Sequence, residues 1–249
     1  MTHRFADHFS RGSSEYAAFR PRYPEALFSW LAATSPGRAL AWDCATGSGQ
    51  AATGLAAHFA RVVATDASEA QIRQAIPARG IEYRVAPADA SGLAPATVDL
   101  VTVAQALHWL PLDIFYAEAT RVLRPRGLLV AWGYALPIVS QDVDRAIRTL
   151  HGEIVGPYWP AGREAVEAGY RTLPFPYPEL TVPAFAVEQA MTRDAFVGYL
   201  RTWSAVRRFV DAQRMDPLAM VLPAIDADWP AEGSRTVRWP LFFRAGHRI

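Results

Sequence analysis

The 249-residue sequence contains no lysine and no asparagine, so all 25 of its basic residues are arginine. This excludes a pyridoxal Schiff-base lysine, a Walker-type GK[ST] phosphate loop, a kinase phosphate-binding lysine and any N-glycosylation site. Both amino acids use A-rich codons, so a GC-rich bacterial genome is the expected source of the bias. Cysteine is nearly as scarce: Cys44 stands alone, which excludes an internal disulfide and fits a reducing compartment. Long apolar runs are also missing. The most apolar stretch, LLVAWGYALPIV, is too short to span a bilayer and is interrupted by Gly133 and Pro137. The N-terminal MTHRFADHFSRG has no apolar targeting segment, so a cytoplasmic address is expected. A net charge of +1 advertises no polyanion, and neither nucleic acid nor a membrane is expected as a partner. The histidines (His3, His8, His58, His108, His151, His247) show no metal-ligand spacing, so no metal is expected.

What is present is the composition of a soluble globular protein, 51% hydrophobic and 20% charged. From residue 39 to 133, short apolar runs alternate with helix-like segments, the pattern of a doubly wound α/β core. Strands are expected at 39–42, 62–65, 81–86, 98–103 and 128–132. Ala51, Ala52, Leu55, Ala56 and Phe59 recur at helical spacing. Ser68 and Gln71 make a capping box directly after the second strand. A further helix fits 112–123, with RPRG as its stop signal. Residues 5–34 look helical with a break at RPRYP, and 140–154 is a plausible helix. Six of the nineteen prolines then fall between 157 and 183, which excludes long helix or regular strand there. A returning strand near 184–190, helices near 193–202 and 216–225, and a last strand at 235–247 complete the expectation. This is one domain: a helical cap (1–36), a cofactor-binding core (37–134), a lid or substrate-side insertion (135–230) and a final strand (231–249).

The stretch LAWDCATGSGQAATGLA (40–56) places a glycine loop between a strand and a helix. Gly47-Ser-Gly49-Gln-Ala-Ala52 satisfies a loose dinucleotide fingerprint, and Asp66 ends the next strand where a ribose-binding acid belongs. Asp43 changes that reading. A pyrophosphate on a helix N-terminus is held by backbone N–H groups, and a carboxylate at its edge repels it, whereas a cationic ligand is attracted.

D43-C-A-T-G47-S-G49 resembles the first motif of class I S-adenosylmethionine-dependent methyltransferases, and the remaining motifs follow in order. DLVTVAQALHW (99–109) and EATRVLRPRGLLVAWGY (118–134) are similar to the type 11 methyltransferase domain. Y16-AAFR20-P21-R-Y23-P24, AQALHW and AWGY resemble a branch related to trans-aconitate methyltransferases. The resemblance implies a Rossmann-like doubly wound sheet of seven strands, mostly parallel with the last antiparallel, with helices on both faces and a helical lid. It implies S-adenosylmethionine as cofactor and S-adenosylhomocysteine as product. Asp66 is then the acid that grips both ribose hydroxyls, with Ala67 and Ile72 beside the adenine, and Asp89 with Ala90 meets the adenine amino group. Asp43, Ala45, Gly47, Gly49, Ala104 and Gln105 cup the methionine end, and Tyr16 and Arg20 reach it from the N-terminal segment. Ala45 replaces the usual first glycine, which is tolerable provided its φ is below zero. The loop after the fourth strand lacks the Asn/Asp-Pro-Pro-aromatic signature of exocyclic-amine methyltransferases, so nucleic acid is disfavoured as substrate.

Methyl transfer is an in-line displacement that needs positioning and exclusion of water more than a catalytic triad. Gln105 and His108 lie just past the fourth strand, where open α/β sheets bind ligands. His108 is placed to act as a general base for a hydroxyl, or simply to pack with Trp109; a carboxylate needs no base. Tyr16 is a third catalytic candidate. Trp132 and Tyr134 end the fifth strand, as pocket walls or as core. Tyr158, Trp159, Arg163, Arg201 and Trp203 are substrate candidates on the lid, although an Arg beside a Trp is also an ordinary half-exposed helix face. Cys44 reads as a small buried hydrophobe. The expected activity is methyl transfer to a small molecule, with a carboxylate favoured, by a monomer or homodimer. The competing readings are a nicotinamide oxidoreductase using the same loop and a non-catalytic cofactor-binding protein.

Overall fold

In VDLVTVA (98–104), Leu100 packs with Leu128, Val130 and Trp132 on one face, while Val101 and Val103 pack with Leu129 and Ala131 on the other. Strands buried on both faces read as continuous apolar runs, and they need helices on both sides. The computed structural model describes residues 22–230 and 232–249. Among these, β1 (Leu40–Cys44), β2 (Arg61–Asp66), β3 (Ile81–Val85), β4 (Val98–Ala104), β5 (Leu123–Tyr134), β6 (Ala186–Met191) and β7 (Arg235–His247) form one seven-stranded sheet in the order β3-β2-β1-β4-β5-β7-β6. The first five strands pair in parallel, and β7 runs antiparallel to both β5 and β6.

On one face lie α1 (Glu25–Thr34) and α2 (Gln50–Leu55), which bury Leu27, Leu31 and Leu55 completely. α3 (Glu69–Arg73) follows β2, and α4 (Leu112–Val122) covers the other face with Phe115, Ala119 and Val122. Each fully buried leucine or phenylalanine contributes about 1.5–3 kcal/mol relative to exposure. The segment after β5 carries α5 (Gln141–Arg148), α6 (Arg163–Glu167), α7 (Arg193–Arg201), α8 (Ser204–Gln213) and α9 (Leu222–Asp228). Among the described residues, no helix is long and apolar enough to cross a membrane.

Several elements differ from expectation for identifiable reasons. RPRG does not end α4 with a loop: β5 begins at Leu123 and bulges, pairing Val98 with Leu123 and then Leu100 with Leu128. Arg126 takes a φ of 63° to make the bulge. Arg124 thereby lies 2.9 Å from Asp99, a fully buried acid whose other oxygen accepts the N–H groups of Ala39 and Leu40. The Ser68 cap accepts from Gln71 N–H, but the Ser68 N–H donates to Asp66 at 2.8 Å, so the reciprocal half of the capping box is taken over by the acid. The helix expected over 140–154 is α-helical to Arg148 and then widens into a π-helical turn, Thr149–Ile154, with Val155 N–H donating to Leu150 C=O. The helix near 216–225 divides into a 3-10 turn (Pro217–Met220) and α9, each carrying an early proline without an N–H to donate. α8 was not expected, although Ala205, Val206 and Phe209 mark its buried side. Of the helical segment expected over 5–34, α1 is the described part; Tyr16 and Arg20 lie outside the described residues.

Candidate active site

The strand order reverses between β1 and β4, and open α/β sheets bind ligands outside the carboxyl ends of their strands at such a switch point. Asp43, the loop 45–49, Asp66 and Gln105 all sit at this end. The loop is tied to β2: Thr46 N–H donates to Thr65 C=O at 2.9 Å, and Gly47 N–H donates to Asp66 Oδ2 at 2.9 Å. With Ser68 N–H on Oδ1, both oxygens of Asp66 hold backbone amides, so this acid anchors the loop it borders. Gly47 and Gly49 have φ of 57° and 86°. A methyl group at Gly49 would come 2.2 Å from the Tyr83 hydroxyl, so glycine is required there by space as well as by backbone.

Ala45 overturns an expectation: its φ is 55°, not negative. The loop therefore holds an L residue in the left-handed region, at a cost of about 1–2 kcal/mol. Strain of this kind persists only where the surroundings over-determine the backbone, and here the flanking β1 pairing and the Thr46–Thr65 bond do so.

Asp43 is completely buried, and it accepts from the hydroxyls of Thr46 (2.5 Å) and Thr102 (2.7 Å). Burial pushes its carboxyl up to about 6, against the pull of these two hydrogen bonds. Gln105 has a φ of 60°, donates its N–H to Trp132 C=O at 2.8 Å, and leaves its buried side-chain Nε2 without a hydrogen-bond partner. A left-handed glutamine with an orphaned buried amide thus lies at the switch point, where such strain and unpaired polar groups concentrate in functional sites.

His108 lies in a 3-10 turn (Leu107–Trp109) after β4, its Nδ1 3.0 Å from the Tyr170 hydroxyl. Burial, with Arg163 nearby, lowers it to about 4, so the imidazole is neutral near pH 7. Trp132 is completely buried, meets Tyr23 edge-on at 5.5 Å, and has an unpartnered indole N–H; Tyr134 is half-buried at the end of β5. Ile72 is half-buried on α3, while Ala67, Asp89 and Ala90 are exposed in the connections after β2 and β3.

On the lid, the Trp159 ring and the Arg163 guanidinium stack at 4.2 Å, and Trp203 is buried against His151 and Trp159. Tyr158 accepts from Gln213 at 2.7 Å and packs on Phe209. Arg201 does not join them: its exposed side chain pairs with Asp216 at 3.0 Å, facing away from the cluster around Trp203. Sequence reasoning missed Thr102, Tyr83, His151 and Tyr170. Thr102 is the register partner of Asp43 across β1 and β4, and Tyr83 leans over Gly49 from β3; both follow from parallel register, which no local pattern encodes. Tyr170 meets His108 from the proline-rich segment, a contact between positions distant in the chain, and His151 meets Arg163 and Trp159 from the π-helical turn.

A family model described as a methyltransferase domain matches residues 42–131, which span the loop, β2, β3, β4 and most of β5. The chain is 33% identical over 226 residues to a protein of Dictyostelium discoideum assigned as a methyltransferase, covering 89% of this chain and 84% of that one. A protein of Saccharomyces cerevisiae assigned as an S-adenosylmethionine-dependent methyltransferase is 29% identical over 50% of this chain and 46% of its own. A structure from Anaeromyxobacter dehalogenans, assigned as a type II methyltransferase, superposes with a TM-score of 0.88 at 48% identity, covering 92% of this chain and 98% of that one. These similarities leave no place for the nicotinamide reading of the loop, and the chain belongs to the class I S-adenosylmethionine-dependent methyltransferase family.

Proposed function

We propose that this enzyme transfers the methyl group of S-adenosylmethionine to an oxygen of a small-molecule acceptor, and that the acceptor oxygen belongs to a carboxylate. The cofactor supplies an activated methyl on a sulfonium that leaves as a neutral thioether. The chain's residues fit such a cation: Asp43 is a completely buried acid that accepts from two hydroxyls and has no cation paired with it among the described residues, so a positive charge above the loop compensates its burial. Asp66, fixed by two amides at the end of β2, is the acid that the resemblance assigns to the ribose hydroxyls, and the Gln105 amide offers donors at the mouth of β4.

The observation that carries the choice of acceptor is His108. Held at about 4 by burial and by Arg163, with Nδ1 engaged by Tyr170, it is a poor match for removing a hydroxyl proton. A carboxylate arrives ionised. Its oxygen lone pair forms the new bond to carbon as the carbon–sulfur bond breaks toward sulfur, and no proton need be removed. The likeness of AQALHW and AWGY to the trans-aconitate branch points the same way. Tyr16 and Arg20 keep the roles that this resemblance gives them, at the methionine end.

A labelled-methyl transfer screen over carboxylic acids, phenols and amines tests this. Label on acids, with a rate at saturating cofactor that is independent of pH between about 5.5 and 8, is expected; label confined to phenols or amines overturns the acceptor, and cofactor binding with no transfer to any class favours a non-catalytic role.

A further inference from the structure

Arg163 is a guanidinium with too few acceptors. It sits at the start of α6, next to Gly162, whose backbone lies against His108. Its Nη2 contacts His151 Nε2 at 3.0 Å, its nearest carboxylate oxygen, on Glu167, is 3.6 Å from Nε, and that Nε is buried without a hydrogen-bond partner. Burial pushes the pKa of its guanidinium down, so the surroundings do not fully compensate the charge. Buried charges are normally paired, and an exception in a well-built site asks for a ligand.

The surroundings are built to aim it. His151 lies in the π-helical turn Thr149–Ile154 and is buried; π-turns inside helices concentrate at functional sites. Its backbone carbonyl accepts from Trp159 Nε1 at 3.0 Å, which fixes the indole on which Arg163 stacks. Its ring nitrogen accepts from Arg163, which requires a neutral imidazole with the proton on Nδ1, and burial with the neighbouring guanidinium holds it neutral, at about 4. One residue thus orients both the cation and the aromatic plate beneath it. Trp203 closes the wall, edge-on to His151 at 5.8 Å.

We infer that Arg163 is the anion anchor of the acceptor site: its fork binds a carboxylate of the acceptor, Trp159 and Trp203 flank the planar part of that molecule, and His151 is the positioning residue. A guanidinium presents paired donors that match a carboxylate, which a point charge does not. The inference rests on the small-molecule acceptor proposed above and names its recognition group.

The test uses the full chain, matched acid and amide pairs (benzoate with benzamide, cinnamate with cinnamamide), and labelled S-adenosylmethionine. Wild type labels the acids; the amides lack the nucleophilic carboxylate and are compared by binding alone. Arg163→Gln raises KM for the acids by about tenfold or more with kcat nearly unchanged, and S-adenosylhomocysteine affinity stays at the wild-type value. His151→Phe reproduces part of that rise, whereas His151→Gln, which keeps an acceptor for Nη2, leaves KM near the wild-type value. Wild-type KM for acids in Arg163→Gln, or benzamide bound by wild type as tightly as benzoate, overturns the anchor. If Arg163→Gln does not fold, Arg163→Lys is read in its place and is expected to shift KM in the same direction, because the charge is kept and the fork is lost. Calorimetric titration of benzoate and benzamide into wild type and Arg163→Gln reads the anchor without transfer. Failure to bind S-adenosylhomocysteine strikes the cofactor reading alone, whereas loss of the acid preference in calorimetry strikes the anchor alone.

Discussion

Asp66→Asn separates the structural from the ligand-binding role of the acid at the end of β2. In the folded protein Oδ2 accepts from Gly47 N–H at 2.9 Å and Oδ1 from Ser68 N–H at 2.8 Å, in a buried setting. An asparagine of the same shape keeps one acceptor and turns an NH2 toward the other amide, donor against donor. One bond to a charged group is lost, at ~1.5–3 kcal/mol, and the surviving one becomes a neutral pair at roughly half its former strength. The expected destabilisation is about 2–4 kcal/mol, which for a chain of this size lowers Tm by roughly 5–15 °C. Cofactor affinity falls by a further ~1.5–3 kcal/mol, or about 10- to 150-fold, because the ribose loses its acceptor and the loop its anchor. Thermal unfolding and calorimetry with S-adenosylhomocysteine measure the two effects separately, with Asp89→Asn, at an exposed acid, as the control expected within ~0.5 kcal/mol of wild type in stability. A variant as stable as wild type, with Gly47 equally protected from hydrogen exchange, refutes the anchoring role. Unchanged affinity refutes the ribose assignment.

Ala45→Gly removes the left-handed penalty at φ 55° but adds unfolded-state entropy; with about 1–2 kcal/mol gained and ~0.5–1 lost, a net stabilisation near ~0.5–1 kcal/mol is expected in urea unfolding, and a destabilised variant contradicts it. For Asp43, the folded carboxyl is raised to about 6, so protonation favours the folded apo protein: this group's contribution to stability is present below the ordinary carboxylate range and is lost as pH rises through about 6, by roughly 3 kcal/mol. A bound cation favours the ionised form, so S-adenosylmethionine should bind more weakly at pH 5 than at pH 7.5 and should release protons when it binds near pH 6. Asp43→Asn should flatten that pH dependence, and an unchanged profile in the variant would assign it to another group. His108→Gln should leave kcat for a carboxylate acceptor within about threefold and cofactor affinity unchanged; a hundredfold loss would return the imidazole to the role of base.

The positions of the core strands along the chain, the glycine loop with Asp43 in front of it, and Asp66 one strand later were all legible in the sequence because they rest on local chemistry. Short apolar runs bounded by turns make strands, and a small-residue loop opening a helix makes a binding cup wherever it occurs. Gln105 and His108 were legible by the same logic, since strand ends carry ligands. The bulge that carries Arg124 to Asp99 was not, because RPRG is a helix stop in one dimension and becomes a strand start only when β4 offers pairing partners. Nor was the sign of φ at Ala45, which the pairing around the loop imposes on a residue that does not prefer it. The lid shows the division most plainly. Composition marked Tyr158, Trp159, Arg163, Arg201 and Trp203 alike as cationic or aromatic, but the folded chain sends Arg201 out to Asp216 and turns Arg163 in beneath His108 and His151. Sequence by itself determined the glycine loop and the acids that border it, whose parts lie close along the chain. Tertiary structure decided which arginine faces the site, because burial, and the missing partner that burial makes costly, exist only when distant segments meet.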